Sequence, residues 1–194
     1  LSLNYNLSDD VMVYGIYSEG YRPATQYRNA GQLAANQSGV YEGYVVPAVA
    51  VTDTLENIEF GMKGEFLDRT LRLNASFYMT EITDLQVSRF DPSNVAFLVF
   101  MENVGDAESN GIDVDFQWAA GSSLLISGAA SFLDTEITRL NPQLQGVAVP
   151  VGSELPLAPR FSGNIRARYD YDVPSMGANG YVTAALVHRG ESVA

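Results

Sequence analysis

The sequence predicts an all-β protein of about eight antiparallel strands joined in chain order, an up-and-down sheet. Three observations carry that prediction. Segments whose apolar residues recur at every second position follow one another along nearly the whole chain. The connections between them alternate between short and long. Composition agrees, with 17 Gly, 11 Tyr and 9 Phe against the single Trp118. Aromatics suit a pleated surface, and glycines suit turns.

The clearest strand follows a predicted turn at Asp68-Arg69. Leu71, Leu73, Ala75, Phe77 and Met79 fall on one face, and Arg72, Asn74, Ser76, Tyr78 and Thr80 on the other. A helix would gather neither set on one side. Taken in order, strand one spans Leu1–Leu7, with Leu1, Leu3, Tyr5 and Leu7 opposite Ser2, Asn4 and Asn6. A turn at Ser8-Asp9-Asp10 leads to strand two, Val11 to about Ser18. A long polar connection from Glu19 to Asp53 follows. Strands three and four form the hairpin between Thr54 and Asp84.

A second long connection, Leu85 to Glu108, holds an apolar run, Val95–Met101, expected to extend a strand beyond a loop at 91–94. Strand five spans Ser109–Trp118 and strand six Ser123–Asp134. The third long connection, Glu136–Pro159, is rich in prolines that an interior strand would exclude. Strand seven spans Arg160–Asp172, and after a turn at Val173–Asn179 strand eight runs from Gly180 to about Arg189.

Tight turns at one end and long loops at the other are the signature of a transmembrane β-barrel. Strand length agrees. Residues 70–84, at about 3.3 Å each and tilted by about 45°, rise roughly 35 Å, more than an apolar band of roughly 25 Å. A lipocalin-like soluble barrel alternates too, with its polar face outside. Periodicity alone does not say which face is which.

The 194 residues carry a formal charge of -12, which argues against nucleic acid, whose phosphates need a basic stripe. Without cysteine there is neither a disulfide nor a thiolate metal site. No apolar run reaches the roughly 18 residues of a membrane helix. The chain opens directly on an alternating strand, with no initiating Met and no signal segment, so it is expected to be a mature fragment or an excerpt of a longer chain.

Four stretches, in order, resemble the barrel of TonB-dependent outer-membrane receptors. They are Val13–Pro23 ending in GYRP, Thr54–Asp68 (TLENIEFGMKGEFLD), Glu102–Asp113 (ENVGDAESNGID), and Leu155–Ser162 (LPLAPRFS). The resemblance implies an antiparallel transmembrane section of about 8 strands from a larger barrel of about 22, with lipid on the Leu71-to-Met79 face and the lumen on the other. It also implies that residues 1–194 are a partial barrel domain, lacking the plug, the TonB box and the last strands.

The function it implies is active uptake of a scarce ligand, foremost a ferric siderophore, across a Gram-negative outer membrane. Energy would come from the TonB complex through the missing N-terminal region. The expected partners are therefore outer-membrane lipid, the TonB complex and a small molecule such as a metal-siderophore complex. No nucleic acid, enzyme activity, metal site or resident cofactor is expected. The alternative is a small self-contained eight-stranded outer-membrane barrel with a structural or adhesion role, in which Leu1–Leu7 would pair with Gly180–Arg189.

Candidate ligand-binding residues are Tyr21, Arg22, Tyr27, Arg28, Tyr41 and Tyr44, which give the first long loop aromatic platforms and charge. Asp113 and Asp115 share a face and are read as lumen-lining polar groups. Glu56 and Glu59 are expected on opposite faces. Arg160, Arg166 and Arg168 are expected to pair across the lumen with Asp113, Asp115 and Glu65. His188, the single histidine, would need a carboxylate or serine beside it to serve a hydrolase.

Overall fold

A computed structural model describes residues 1–26, 31, 45, 47–91, 98–141 and 150–192, the side chains of 89–91 and 98–101 excepted. Ten strands form: β1 (Ser2–Asn6), β2 (Val11–Arg22), β3 (Thr25–Gln26), β4 (Val49–Ala50), β5 (Asp53–Phe66), β6 (Leu71–Asp91), β7 (Leu98–Ala120), β8 (Leu124–Leu140), β9 (Phe161–Val173) and β10 (Ala178–Arg189). Eight of them make one antiparallel sheet in the order β1-β2-β5-β6-β7-β8-β9-β10, and β3 pairs with β4 in a small ladder of its own. The expected meander is therefore present. β1 and β10 sit at opposite ends of the sheet, each paired with its sequence neighbour rather than with the other as the self-contained barrel required.

Register makes the sheet two-faced. One row crosses all eight strands as Tyr5, Val13, Met62, Ala75, Val114, Ala130, Gly163 and His188. The adjacent row reads Asn4, Tyr14, Gly61, Ser76, Asp113, Ser131, Ser162 and Arg189. The first is apolar up to its last member; the second is polar. Successive side chains of a strand point to opposite faces, so the two rows lie on opposite sides. On the polar side the Tyr14 and Tyr78 rings lie over Gly61 and Gly111, where a methyl group would collide with them.

The apolar face stays open. Phe60 is 57% exposed, Phe132 53% and Leu186 69%. Among the described residues the buried non-glycine side chains are Ala50, Asp53, Gln86, Glu102, Val104, Ala107, Thr135 and Ile137. All of them lie toward the end of the sheet that carries the long connections. That end also carries an acidic row on the apolar side: Glu19, Glu56, Glu81, Glu108 and Glu136 stand directly opposite one another on five adjacent strands.

The turns at the other end are tight. At the first, the Leu7 and Ser8 N–H groups donate to the Val11 carbonyl. At the second, Leu67, Asp68 and Arg69 all adopt left-handed φ values of 54°, 53° and 65°, around the predicted Asp68-Arg69 corner. Arg69 reaches across to Asp10 in the neighbouring turn at 2.8 Å.

Strand limits differ from expectation at the loop end. β2 continues to Arg22, β6 to Asp91 and β8 to Leu140, and β7 begins at Leu98, so the expected second long connection is mostly strand. The expected extension at 95–101 is strand from Leu98; residues 92–97 lie outside the described set. The reason is local. The β6–β7 ladder slips between Ile82 and Gln86, where Asp84 has φ 54°, and the β7–β8 ladder slips between Asp106 and Ala107, beside Gly105 at φ 143°. A bulge adds a residue to one strand and reverses the alternation beyond it while pairing continues. β8 also loses β9 beyond Phe132. Its upper part pairs instead with the returning loop, through Ile137 N–H to Ser153 O and Gly152 N–H to Ile137 O, both 2.9 Å.

Candidate functional site

The loop-bearing end is organised around Asp53, the first residue of β5, which is 4% exposed. Its Oδ1 accepts the Arg22 backbone N–H at 3.1 Å. Its Oδ2 accepts Arg22 Nε at 2.8 Å, Arg22 Nη2, and the Gln86 backbone N–H at 3.1 Å. Arg22 ends β2 and Asp53 opens β5, so this pair closes the neck of the 23–52 loop.

Burial pushes the Asp53 carboxyl up, but the Arg22 guanidinium and the Gln86 and Arg22 N–H groups outweigh it and hold the pKa below the usual carboxylate value. Arg22 Nη2 also donates to Gln86 O at 2.9 Å. Gln86, equally buried on β6, sends its side-chain amide to Val51 O at 2.8 Å and Pro23 O at 3.2 Å. From β7, Asn103 accepts the Val51 N–H at 2.7 Å and donates back to Val51 O at 2.9 Å and to Asp84 O at 2.5 Å.

A second ionic group braces the next hairpin. Arg139 on β8 donates to Asp106 through Nε at 2.5 Å and Nη2 at 2.8 Å, and to Asp84 Oδ1 at 3.0 Å. Asp106 Oδ1 also takes the Asp84 N–H at 3.0 Å, a ladder hydrogen the bulge has freed. The Arg139 hydrogen bond is the chief reason the Asp106 carboxyl lies below its usual pKa, and burial opposes it.

Of the candidate ligand residues, Tyr21 and Arg22 are described; Tyr27, Arg28, Tyr41 and Tyr44 lie outside the described residues. Tyr21 is 74% exposed and alternation places it with Tyr17 and Glu19 on the outer row, whereas Arg22 turns to the other face and Asp53. Glu56 and Glu59 do fall on opposite faces: Glu56 joins the acidic row, and Glu59 accepts the Tyr14 hydroxyl at 2.6 Å.

Asp115 on the polar face takes a hydrogen bond from Asn74 at 2.9 Å. For Arg160, Arg168 and Glu65 the expected pairing across the lumen is not what forms. Arg168 pairs with Asp170 at 2.7 Å, Arg160 with Glu154 at 2.6 Å, and Glu65 with Arg72 at 3.3 Å. β9 and β5 are separated by three intervening strands, each about 4.8 Å wide, beyond the reach of a side chain along the wall. His188 lies on the apolar face, its ring 5.6 Å from that of Phe161, whereas Ser131, Ser162 and Asp113 share the opposite face.

The chain that forms this two-faced antiparallel wall matches the family described as "TonB dependent receptor-like, beta-barrel" over residues 1–193. The chain belongs to that family. Its members are transport receptors. The pesticin receptor of Yersinia pestis is 27% identical over 188 residues, covering 92% of this chain and 24% of that protein. The metal-pseudopaline receptor CntO of Pseudomonas aeruginosa is 28% identical over 168 residues, covering 86% of this chain and 20% of its own length.

The crystal structure of the ferric yersiniabactin uptake receptor FyuA from Yersinia pestis superposes with a TM-score of 0.65 at 19% identity, over 96% of this chain and 24% of that one. The ferric preacinetobactin receptor BauA from Acinetobacter baumannii gives 0.60 at 21% identity, over 95% of this chain and 25% of that one. The chain thus spans about a quarter of these proteins' length, and the structural likeness shows a shared antiparallel barrel-wall fold. The side chains that organise its loop end, Asp53, Gln86, Asn103 and Arg139, escape sequence reasoning. The visible signal was the placement of Asp53 and Arg22 at the two ends of one long loop.

Proposed function

We propose that this TonB-dependent receptor section belongs to an active-transport receptor of a Gram-negative outer membrane that takes up a scarce ligand, foremost a ferric siderophore. The apolar face would meet lipid and the polar face the lumen, with tight turns at the periplasmic rim and long connections outside the cell. The acidic row fits that orientation, since five carboxylates would stand just beyond the apolar band, outside the hydrocarbon. Partners would be membrane lipid, a metal-siderophore complex or similar small molecule, and the TonB complex, engaged through a region N-terminal to this wall.

The observation that carries the reading is the closed neck of the 23–52 loop. Arg22, Asp53 and Gln86 fix its base on the rim where an external ligand arrives. Tyr21, Tyr27, Arg28, Tyr41 and Tyr44 are the proposed contacts, aromatic faces and a guanidinium group being suited to an aromatic, anionic chelate. With Arg22 engaged by Asp53, its part is to shape the base, and Arg28 is the cation offered to ligand. The receptor relatives named for pesticin, pseudopaline-bound metal and ferric yersiniabactin support this class of ligand.

Deletion of residues 27–44 in the complete receptor tests it. The dissociation constants for a panel of ferric siderophores should rise by about tenfold or more, equivalent to about 1.4 kcal/mol of lost binding, and uptake of radiolabelled iron from them should fall, while the barrel stays folded. Unchanged uptake of every member would overturn the reading.

A further inference from the structure

We propose that Gln86 and Asn103 are positioning residues, a two-amide clasp that holds both ends of the 23–52 loop onto the β6–β7 hairpin. The proposal rests on the reading of that loop as the ligand-capturing element and goes beyond it, because it names what sets the loop's position.

The argument begins with hydrogen-bond capacity. A glutamine amide has two N–H hydrogens. Those of Gln86 go to Pro23 O at 3.2 Å, where the loop leaves the wall, and to Val51 O at 2.8 Å, where it returns. One side chain therefore spans entry and exit. Asn103 does something different. By accepting from Val51 N at 2.7 Å and donating to Val51 O at 2.9 Å, it imitates the paired bonds of a neighbouring strand. Val51 lies between β4 and β5, so a side chain supplies the ladder partner that no strand provides there.

These bonds are separate from those that build the wall. β5–β6 and β6–β7 have their own backbone ladders, in which Gln86 is opposite Asn103. Removing either amide leaves the ladder in place and releases the loop, loss of Asn103 also freeing the Asp84 carbonyl at the β6 bulge. With Gln86 4% exposed, its amide does not exchange freely with water, so loss of its partners is not made good by solvent. Because the anchors are on one hairpin, a displacement of β6–β7 would carry the loop with it.

The test uses the complete receptor in outer-membrane vesicles. Gln86→Met keeps length and removes the donors; Asn103→Leu removes all three Asn103 side-chain bonds; Asn103→Asp retains the acceptor for Val51 N–H and loses the donors. Trypsin cleavage within residues 23–52 should accelerate about tenfold in the Gln86→Met/Asn103→Leu double variant, with smaller effects in the singles and the smallest in Asn103→Asp. The temperature at which the barrel loses its compact electrophoretic form should not move. The KM for ferric-siderophore uptake should rise with the maximal rate unchanged, a split that general destabilisation would not give.

An unchanged cleavage rate in the double variant overturns the clasp. Cleavage that rises with no change in KM overturns the link between the loop and capture, and with it the proposed function, while the clasp stands. Should the double variant fail to assemble, Asn103→Asp and Gln86→Met singly decide by the same cleavage measurement.

Discussion

Asp53 shows how one carboxylate can fix a large surface feature. It lies almost without solvent contact at the start of β5, and every oxygen lone pair it offers toward the loop neck is used by Arg22 or Gln86. Removing one partner of such a pair leaves a buried donor set unmatched, which costs about 3 kcal/mol when both are buried; with Arg22 half exposed about 2 kcal/mol is expected for Asp53→Asn. The sign with pH follows from the lowered pKa. The stabilisation is fully present above the unfolded carboxyl value, about 3.9, and is lost as pH falls through the lower folded value. Thermal scans of the complete receptor between neutral pH and pH 2 should therefore show a steeper acid loss in the native protein than in Asp53→Asn. Equal slopes would remove Asp53 from that account. The sequence offers Arg22 as a ligand contact because it adds charge to a loop rich in aromatics. Its partner was not legible, since Asp53 lies 31 positions away and only folding brings them together.

The strands themselves were legible wherever alternation ran unbroken. Leu71–Met79 and Ile112–Trp118 fall on the face predicted for them, and the tight turn at Asp68-Arg69 is where it was expected. Legibility ended at the bulges. Asp84 and Gly105 reverse the phase of their strands, so period-two counting stopped there although the β6–β7 ladder continues to Asp91 and Leu98. Gly105 is the residue on which that continuation depends. Its φ of 143° is unsuited to other residues, and a methyl group would strike the Arg139 carbonyl oxygen. Gly105→Ala should cost about 3 kcal/mol or more, by strain and by displacement of β8. It should act at the loop end first: hydrogen exchange should quicken at residues 102–107 and 137–141 while Leu71–Phe77 stays protected. Uniform loss along the strands would contradict a bulge-specific effect.

Across the whole wall, one face is apolar from Leu71 to Met79 and becomes acidic at Glu81. Eight residue steps at about 3.3 Å make roughly 26 Å of strand, or about 20 Å of vertical rise at a tilt near 40°, close to the apolar band of outer-membrane barrels. Aromatics flank it below, where Trp118, Tyr169 and Tyr171 are 38%, 53% and 43% exposed. Charge should therefore be penalised by depth. In the complete barrel refolded into lipid vesicles, Phe77→Arg should cost about 2–4 kcal/mol in denaturant unfolding. Glu81→Arg, between Glu56 and Glu108, should instead stabilise by about 0.5 kcal/mol by relieving like-charge opposition. Equal costs at the two positions would contradict the lipid assignment. Membership of the receptor family was legible from four short motifs, three of them in the wall strands β5, β2 and β7 and the fourth leading into β9. The long connections were not legible beyond their bounds, because their composition has no period.

Burial in this wall is concentrated near one rim, from Ala50 and Asp53 to Thr135 and Ile137. That has a mechanical meaning. A pull from the tight-turn side would open backbone ladders one pair at a time against nearly constant resistance. It would then meet, at the far end, side chains from β2, β5, β6, β7 and β8 locked together by Arg22, Gln86, Asn103 and Arg139. Resistance to force is thus graded along the strands, and the rim that carries the long connections is the last part of the wall to lose its shape.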